Sequence, residues 1–264
     1  GDHRDLHSFP TRRSSDLAPV REYKSDATVV TQADRAIEAS LAAELDKPDE
    51  GSYLLGEETL EGRSEDYIAS ALKKTAWIVD PIDGTISYAH HFPMWGVSIA
   101  LARGGVIREG ALYLPIGGDM LVSDGEKIFH GRVAPDAENP GAGLKPFTPP
   151  FLRPDPKSVI ALAQGYVKKG GFSGGNALHA TGSAVFSLAH LVLGNYLAYQ
   201  ANLKLWDLAG GVALIEKAGF LMRFEDGRPF GTSIDEVLYR LGPEEGHKRW
   251  KARGRVIFAP TAEA

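Results

Sequence analysis

Cysteine is absent from the 264 residues, which removes disulfides and thiolate metal sites together. Its absence fits a reducing, cytoplasmic setting. Long apolar runs are absent too: none approaches the roughly 18 residues a membrane helix needs. Neither sign of charge dominates, with a formal net charge of −5 and a pI of about 5.9. There is no basic stripe to track nucleic acid, and a mildly acidic surface does not attract anionic membranes. No internal repeat or low-complexity tract interrupts the chain. What is present is a composition 43% hydrophobic, enough for a sizeable core in one or two domains.

The first seventeen residues, GDHRDLHSFPTRRSSDL, have neither the apolar stretch nor the small-residue cleavage site of a signal peptide. They back-translate without a break into a string that resembles a common short-read sequencing adapter. We therefore expect residues 1–17 to be non-native and biological sequence to start near Ala18. The other reading is a polar tail.

From Thr28 onward the pattern alternates between helix and strand. Thr31-Gln32-Ala33-Asp34 resembles a capping box, and Ala33, Ile37, Leu41 and Leu45 follow at helical spacing. Ser52 to Leu55 reads as a short strand running into Glu57-Glu58. Ala76 to Val79 reads as a buried strand stopped at Asp80-Pro81, since the residue before proline is pushed toward extended geometry. Val97 to Ala102 and Ala111 to Leu114 are further strands, and Met120 to Val122 with Lys127 to Phe129 flank a hairpin turn. Arg132 to Pro156 holds seven of the sixteen prolines and reads as a long connection. Beyond it come a strand at Ser158 to Ala163, helices at Ser183 to Leu193 and Asp207 to Ala218, and closing strands near Gly219 to Phe224 and Val256 to Phe258. The expectation is a layered α/β or α+β fold with an N-terminal half at 18–145 and a C-terminal half at 146–264.

Three acidic clusters carry the chemical interest: Glu57-Glu58, Asp80-Pro81-Ile82-Asp83-Gly84-Thr85, and Trp206-Asp207. Asp80 and Asp83 flank a proline-stiffened turn that can aim two carboxylates and a backbone carbonyl at one point. Hard cations such as Mg²⁺ take oxygen ligands of this kind, and a pair of them can clamp the attacking and leaving oxygens of phosphoryl transfer. Asp83-Gly84-Thr85 can also open a helix whose N–H groups face a phosphate. Each cluster has a plainer reading. Asp-Pro and Asp-Gly are turn chemistry, Asp207 is a good N-cap, Asp34 can serve its own helix end, and Glu57-Glu58 can be a solvated bend.

Taken in order, Val30-Thr31-Gln32-Ala33-Asp34, Gly56-Glu57-Glu58, Trp77 to Thr85 and Trp206-Asp207-Leu208-Ala209-Gly210 resemble the motif set of the inositol monophosphatase family. The likeness spans roughly Lys24 to Phe220. It implies that family's αβαβα sandwich, a homodimer, and two or three Mg²⁺ ions that activate a water to hydrolyse a small phosphorylated metabolite. By the resemblance, Glu57, Asp80 and the Ile82 carbonyl hold the first ion, and Asp80, Asp83 and Asp207 the second. A third, weaker ion sits near Glu57. Thr85 orients the water with Asp34 bonded to its hydroxyl, and the Gly84 and Thr85 amides hold phosphate oxygens. Gly182-Ser183-Ala184 lines the substrate pocket, and Lys24 matches a family lysine loosely. Inositol-binding members usually carry an acid seven residues before the Trp-Asp aspartate, where this chain has Gln200. The basic residue often found before the Gly-Ser-Ala loop is missing, with His179 nearby, and Asp124 to Gly131 lacks the usual Gly-Ala-Asn-Gly pattern. These departures bear on substrate and leave the metal ligands intact. A polyol or sugar phosphate ranks first, ahead of 3′-phosphoadenosine nucleotides, fructose bisphosphate and histidinol phosphate. A shortened first helix and an early stop after Phe258 suggest native sequence missing at both ends.

Gly171-Phe172-Ser173-Gly174-Gly175 fits the nucleophile pattern of serine hydrolases but lacks the preceding apolar strand and following helix. A non-catalytic family member is a further alternative, although every metal-binding position is filled. His90-His91 has no matched third ligand for zinc and reads as a surface turn.

Overall fold

The computed structural model describes residues 21–23, 29–170, 172 and 174–261. Residues 1–17, Lys24 and Ser173, for which expectations are given above, lie outside the described residues. Strands β1 (Arg21–Tyr23) and β2 (Val29–Thr31) pair antiparallel and lead into helix α1 (Gln32–Leu45). Then follow β3 (Ser52–Gly56), α2 (Glu65–Lys73), β4 (Thr75–Asp83), α3 (Thr85–Ala89), β5 (Gly96–Arg103), β6 (Val106–Leu114), β7 (Asp119–Asp124), β8 (Lys127–Arg132) and β9 (Lys145–Phe147). The remainder comprises β10 (Val159–Leu162), α4 (Gln164–Val167), β11 (Ala177–His179), α5 (Ala184–Val192), β12 (Ala198–Ala201), α6 (Leu205–Lys217), β13 (Leu221–Phe224) and β14 (Val256–Ala259).

Strands β3 to β9 form a seven-stranded sheet in chain order. Its first pair is parallel and the rest are antiparallel. The second sheet has the order β11-β10-β12-β14-β13. Helices α1 and α2 cover one face of the larger sheet, and α5 and α6 pack between the two sheets, giving successive α, β, α and β layers. This is the layered α/β sandwich expected from the sequence.

Sandwiching buries the last two helices, α5 and α6, nearly all round, including Leu188, Leu191, Leu208 and Leu214 at 0% exposure. A helix hydrophobic on all sides belongs in the interior. Close approach of α6 to the sheet depends on glycine: a Cβ on Gly110 would lie 2.1 Å from the Gly210 carbonyl oxygen.

Other boundaries shift for physical reasons. Strand β4 does not stop at Asp80-Pro81 but runs to Asp83, with its register against β5 shifting between Asp80 and Asp83. Proline removes a ladder donor and a bulge absorbs the loss. The proline-rich connection contains a 3₁₀ turn, Pro140–Gly143, and edge strand β9, where Pro146 pairs with Phe129. Asp207 is not the N-cap of α6. Lys204 takes that place, and Asp207 accepts its backbone N–H at 2.9 Å from inside the first turn.

Candidate active site

Register places the first two acids. Because β3 and β4 are parallel, their C-terminal ends emerge side by side, with Gly56 opposite Val79. The next residues are therefore neighbours, and Glu57 donates its backbone N–H to the Val79 carbonyl at 3.3 Å. At the end of β4, Asp80, Pro81, Ile82 and Asp83 are all buried. The Asp80 carboxylate accepts the Ile82 N–H at 3.2 Å, a local turn bond that fixes its direction. The N-terminus of α6 brings in Asp207. Carboxylate oxygens of Glu57, Asp80 and Asp207 then lie within 4.8 Å of one another. Among the described residues this is the only such grouping of three or more acidic or histidine ligand atoms.

Asp83 stands beside that trio and joins the halves of the chain. Its Oδ2 accepts from the Ser183 hydroxyl and from the Val185 N–H at 2.7 Å. Ser183 is the N-cap of α5 and also accepts the Phe186 N–H at 3.0 Å. Gly84 is left-handed, at φ 87°, and a Cβ there would meet the Met94 carbonyl and Ser183 Cβ at 2.9 Å. Only glycine fits this corner without strain. Thr85 opens α3, and its hydroxyl donates to the Ile82 carbonyl at 3.1 Å. A threonine hydroxyl at a helix start readily finds the carbonyl three residues back. Asp34 is 1% exposed, on the inner face of α1.

The electrostatics follow from crowding. Burial, then Glu57, Asp83 and Asp207, push the Asp80 carboxyl well above the usual aspartate range. Burial and Asp207 raise Asp83, against the hydrogen bonds from Ser183 and Val185. Burial and Glu57 raise Asp207 to about 7. Asp80 and Asp207 crowd one another, so the ionised form of each is disfavoured by its neighbours. Oxygen-only donors, packed closer than their charges tolerate, fit hard divalent cations.

Sequence reasoning missed Glu38. It is 0% exposed on α1 and accepts backbone N–H groups from both Glu58 and Thr59 at 2.8 Å. It thus grips the loop that carries Glu57. Its spacing four residues after Asp34 on one helix face was the available signal.

The acids open into a cavity of about 500 Å³ that also touches Gly84, Thr85, Trp206 and Lys204. A second chamber of about 570 Å³ adjoins it, sharing Asp83, Gln164, Gly182, Asn202, Leu203 and Lys251. Ser183, Ala184 and Gln200 line this second chamber, and the Gln200 side-chain oxygen has no hydrogen-bond partner. His179 is exposed on β11, near the Tyr196 hydroxyl at 3.1 Å. His90 and His91 are exposed at the end of α3, outside the acidic cluster. No helix among the described residues is long and apolar enough to cross a membrane.

A layered α/β sandwich in which half-buried Glu57 and Asp207 meet buried Asp80 at a cleft offers oxygen donors of the kind a divalent cation takes. The sequence profile of the inositol monophosphatase family matches residues 11–252. An inositol-1-monophosphatase of Mesorhizobium japonicum is 31% identical over 77% of this chain and 75% of its own length. One from Caulobacter vibrioides is 33% identical over 74% and 75%. The solved structure of the extragenic suppressor protein suhB from Bartonella henselae superposes with a TM-score of 0.62 at 23% identity, covering 93% of this chain and 84% of that one. The chain belongs to the inositol monophosphatase family and is a phosphoric monoester hydrolase. Its family consists of metal-dependent phosphatases acting on small phosphorylated molecules.

Proposed function

We propose that the protein hydrolyses a small polyol or sugar phosphate with Mg²⁺ bound at Glu57, Asp80, Ile82, Asp83 and Asp207. The supporting observation is the convergence of the Glu57, Asp80 and Asp207 oxygens within 4.8 Å, where burial and neighbouring charge disfavour ionised Asp80 and Asp207. When bound, magnesium supplies the positive charge that lowers the pKa of a water and offsets charge on the phosphoryl group. The chain's own groups do the rest. Asp83 holds the start of α5 against the end of β4, so Ser183 and Ala184 line the chamber that adjoins the cleft. The Gly84 and Thr85 amides are assigned to phosphate oxygens, and the Thr85 hydroxyl to orienting the attacking water, with buried Asp34 behind it. Gln200 is assigned to a substrate hydroxyl, which its unpartnered oxygen is able to accept. Gly182 lets the loop before α5 turn at φ 79°.

Asp80→Asn tests the reading. It should reduce magnesium-dependent phosphate release by orders of magnitude while leaving the unfolding transition cooperative. Near-wild-type turnover in this variant would contradict the assignment. Homodimeric assembly and a cytoplasmic setting belong to the same proposal. Sedimentation velocity and cell fractionation check them. Residues 1–17 are proposed to be non-native, and genomic reads that continue through them into upstream coding sequence would overturn that.

A further inference from the structure

Strands β13 and β14 are antiparallel neighbours, paired from Leu221 with Ala259 to Phe224 with Val256. A turn of about two to five residues suffices to join such a pair. Residues 225–255 take a far longer route, and they are tied down along it. The Ile107 N–H bonds to the Thr232 carbonyl at 2.9 Å and the Ile234 N–H to the Gly105 carbonyl at 2.7 Å, which fastens the outgoing limb to the start of β6. Arg249 donates from both terminal guanidinium nitrogens to the Glu65 carboxylate on α2, at 2.7 and 2.6 Å. On the returning limb the Ala252 N–H bonds to the Leu203 carbonyl at 2.9 Å, just before α6. Leu238, Tyr239, Trp250 and Ala252 are buried. A long, packed connection inside a compact fold commonly serves function.

Between these ties the backbone twice enters the left-handed half of conformational space. Gly246, at φ 55° and ψ −130°, interrupts the 3₁₀ run Pro243–Lys248. Trp250 has φ 70°, which a bulky residue rarely adopts. Its N–H bonds to the Arg240 carbonyl at 2.6 Å, and the Arg240 N–H bonds to the Lys251 carbonyl at 2.9 Å. Glu245 pairs with Arg240 at 3.1 Å and with Arg253 at 3.6 Å. Strained backbone persists where its surroundings overdetermine it, and it concentrates at functional sites.

This strap delivers His247 to the carboxylate cleft, where it lines the wall with Glu57, Asp80, Asp207 and Thr85. The second chamber does not include it. Its side chain is exposed and has no hydrogen bond or ion pair among the described residues. Its ring nitrogens also stand outside the group of ligand atoms within 4.8 Å. The imidazole is thus placed neither to complete the cation's ligand set nor to meet whatever extends into the chamber. What remains for it is the phosphoryl group that the acids and the start of α3 are proposed to receive. An imidazole has an N–H to donate in either protonation state, and donation to an anionic oxygen is stronger than to a neutral one.

We infer that His247 is a substrate-contacting residue, which donates a hydrogen bond to a non-bridging phosphoryl oxygen of the bound phosphomonoester. This rests on the phosphatase reading of the carboxylate cleft and adds to it a group supplied by the 225–255 strap. The experiment compares kcat and KM with magnesium, for myo-inositol 1-phosphate and fructose 1,6-bisphosphate, in the wild type, His247→Ala, His247→Gln and Lys248→Ala. His247→Ala should lower kcat/KM by about tenfold or more, as loss of a hydrogen bond to a charged group implies. The factor should be similar for both esters, because the phosphoryl group is common to them. His247→Gln keeps a donor and should recover part of the loss. Lys248 is exposed and lines neither cavity, so Lys248→Ala should match the wild type. The magnesium concentration for half-maximal activity should not change in any variant. A readout independent of turnover is the imidazole NMR resonance that is missing from His247→Gln. With magnesium present, inorganic phosphate should shift it in the wild type. Wild-type kcat/KM in His247→Ala, a loss confined to one ester, a changed magnesium requirement, or a resonance unmoved by phosphate would each overturn the inference. Absence of phosphate release from every ester by the wild type would instead count against the phosphatase reading, and the phosphate titration would still decide the contact.

Discussion

Glu38 shows how a single buried charge can set a loop. Its two carboxylate oxygens accept the N–H groups of Glu58 and Thr59, and burial raises its pKa against those hydrogen bonds. Gly56 is required beside it, because a Cβ there would lie 2.1 Å from a Glu38 oxygen. Glu38→Gln has nearly the same shape but only one acceptor oxygen, so one buried N–H loses its partner at a cost of about 1–3 kcal/mol. The expected outcome is a lower unfolding temperature and a higher magnesium concentration for half-maximal activity, with little change in substrate KM. A lower unfolding temperature with unchanged magnesium dependence would reduce Glu38 to a purely structural role. At this scale the sequence was informative about acids that sit in ordered motifs, such as Asp80, Asp83 and Asp207. It was silent on Glu38, whose partners are backbone amides twenty residues away.

Among the elements, the long antiparallel strands and the last two helices were legible because alternation and helical spacing persist over several turns of pattern. The hairpin of β7 and β8 was read from its turn residues, and it pairs Asp124 with Lys127. Helix α2 went unread, although Ser64 caps it by accepting the Tyr67 N–H at 3.2 Å and acids fill its first turn. Its nine residues have only Ile68 and Ala71 buried, too short a stripe to stand out. Strand β12, only four residues long, was also missed, though it carries Gln200 into the chamber. What no local pattern conveys is how closely α6 lies on the sheet. A Cβ on Gly210 would meet Ser98 Oγ at 2.6 Å and the Ala111 carbonyl at 2.9 Å. Gly210→Ala should therefore destabilise the fold by about 1–3 kcal/mol through overpacking, despite the better helix propensity of alanine. Urea unfolding measures it, and an unchanged midpoint would show that the layers have slack.

For the whole molecule, carboxylates from residues 57, 80 and 207 meet only because a parallel strand pair and a distant helix end converge. Motif order in the sequence pointed to that meeting through family resemblance, while spacing alone did not. The assembled cluster ties stability to pH and to cations. The Asp207 carboxyl is raised from an ordinary value of 3.8 to about 7 in the fold, so folding favours its protonated form. That contribution is intact below the ordinary value and is lost as pH rises through about 7. A divalent cation binds the ionised form, so protons compete with it at low pH. The most direct test of the central claim is the unfolding temperature with and without magnesium at about pH 5.5 and about pH 8. Magnesium a hundredfold above its dissociation constant should raise it by about 5–10 °C at the higher pH and by clearly less at the lower. No magnesium-dependent rise at either pH would contradict the claim that these carboxylates are gathered to hold divalent cations.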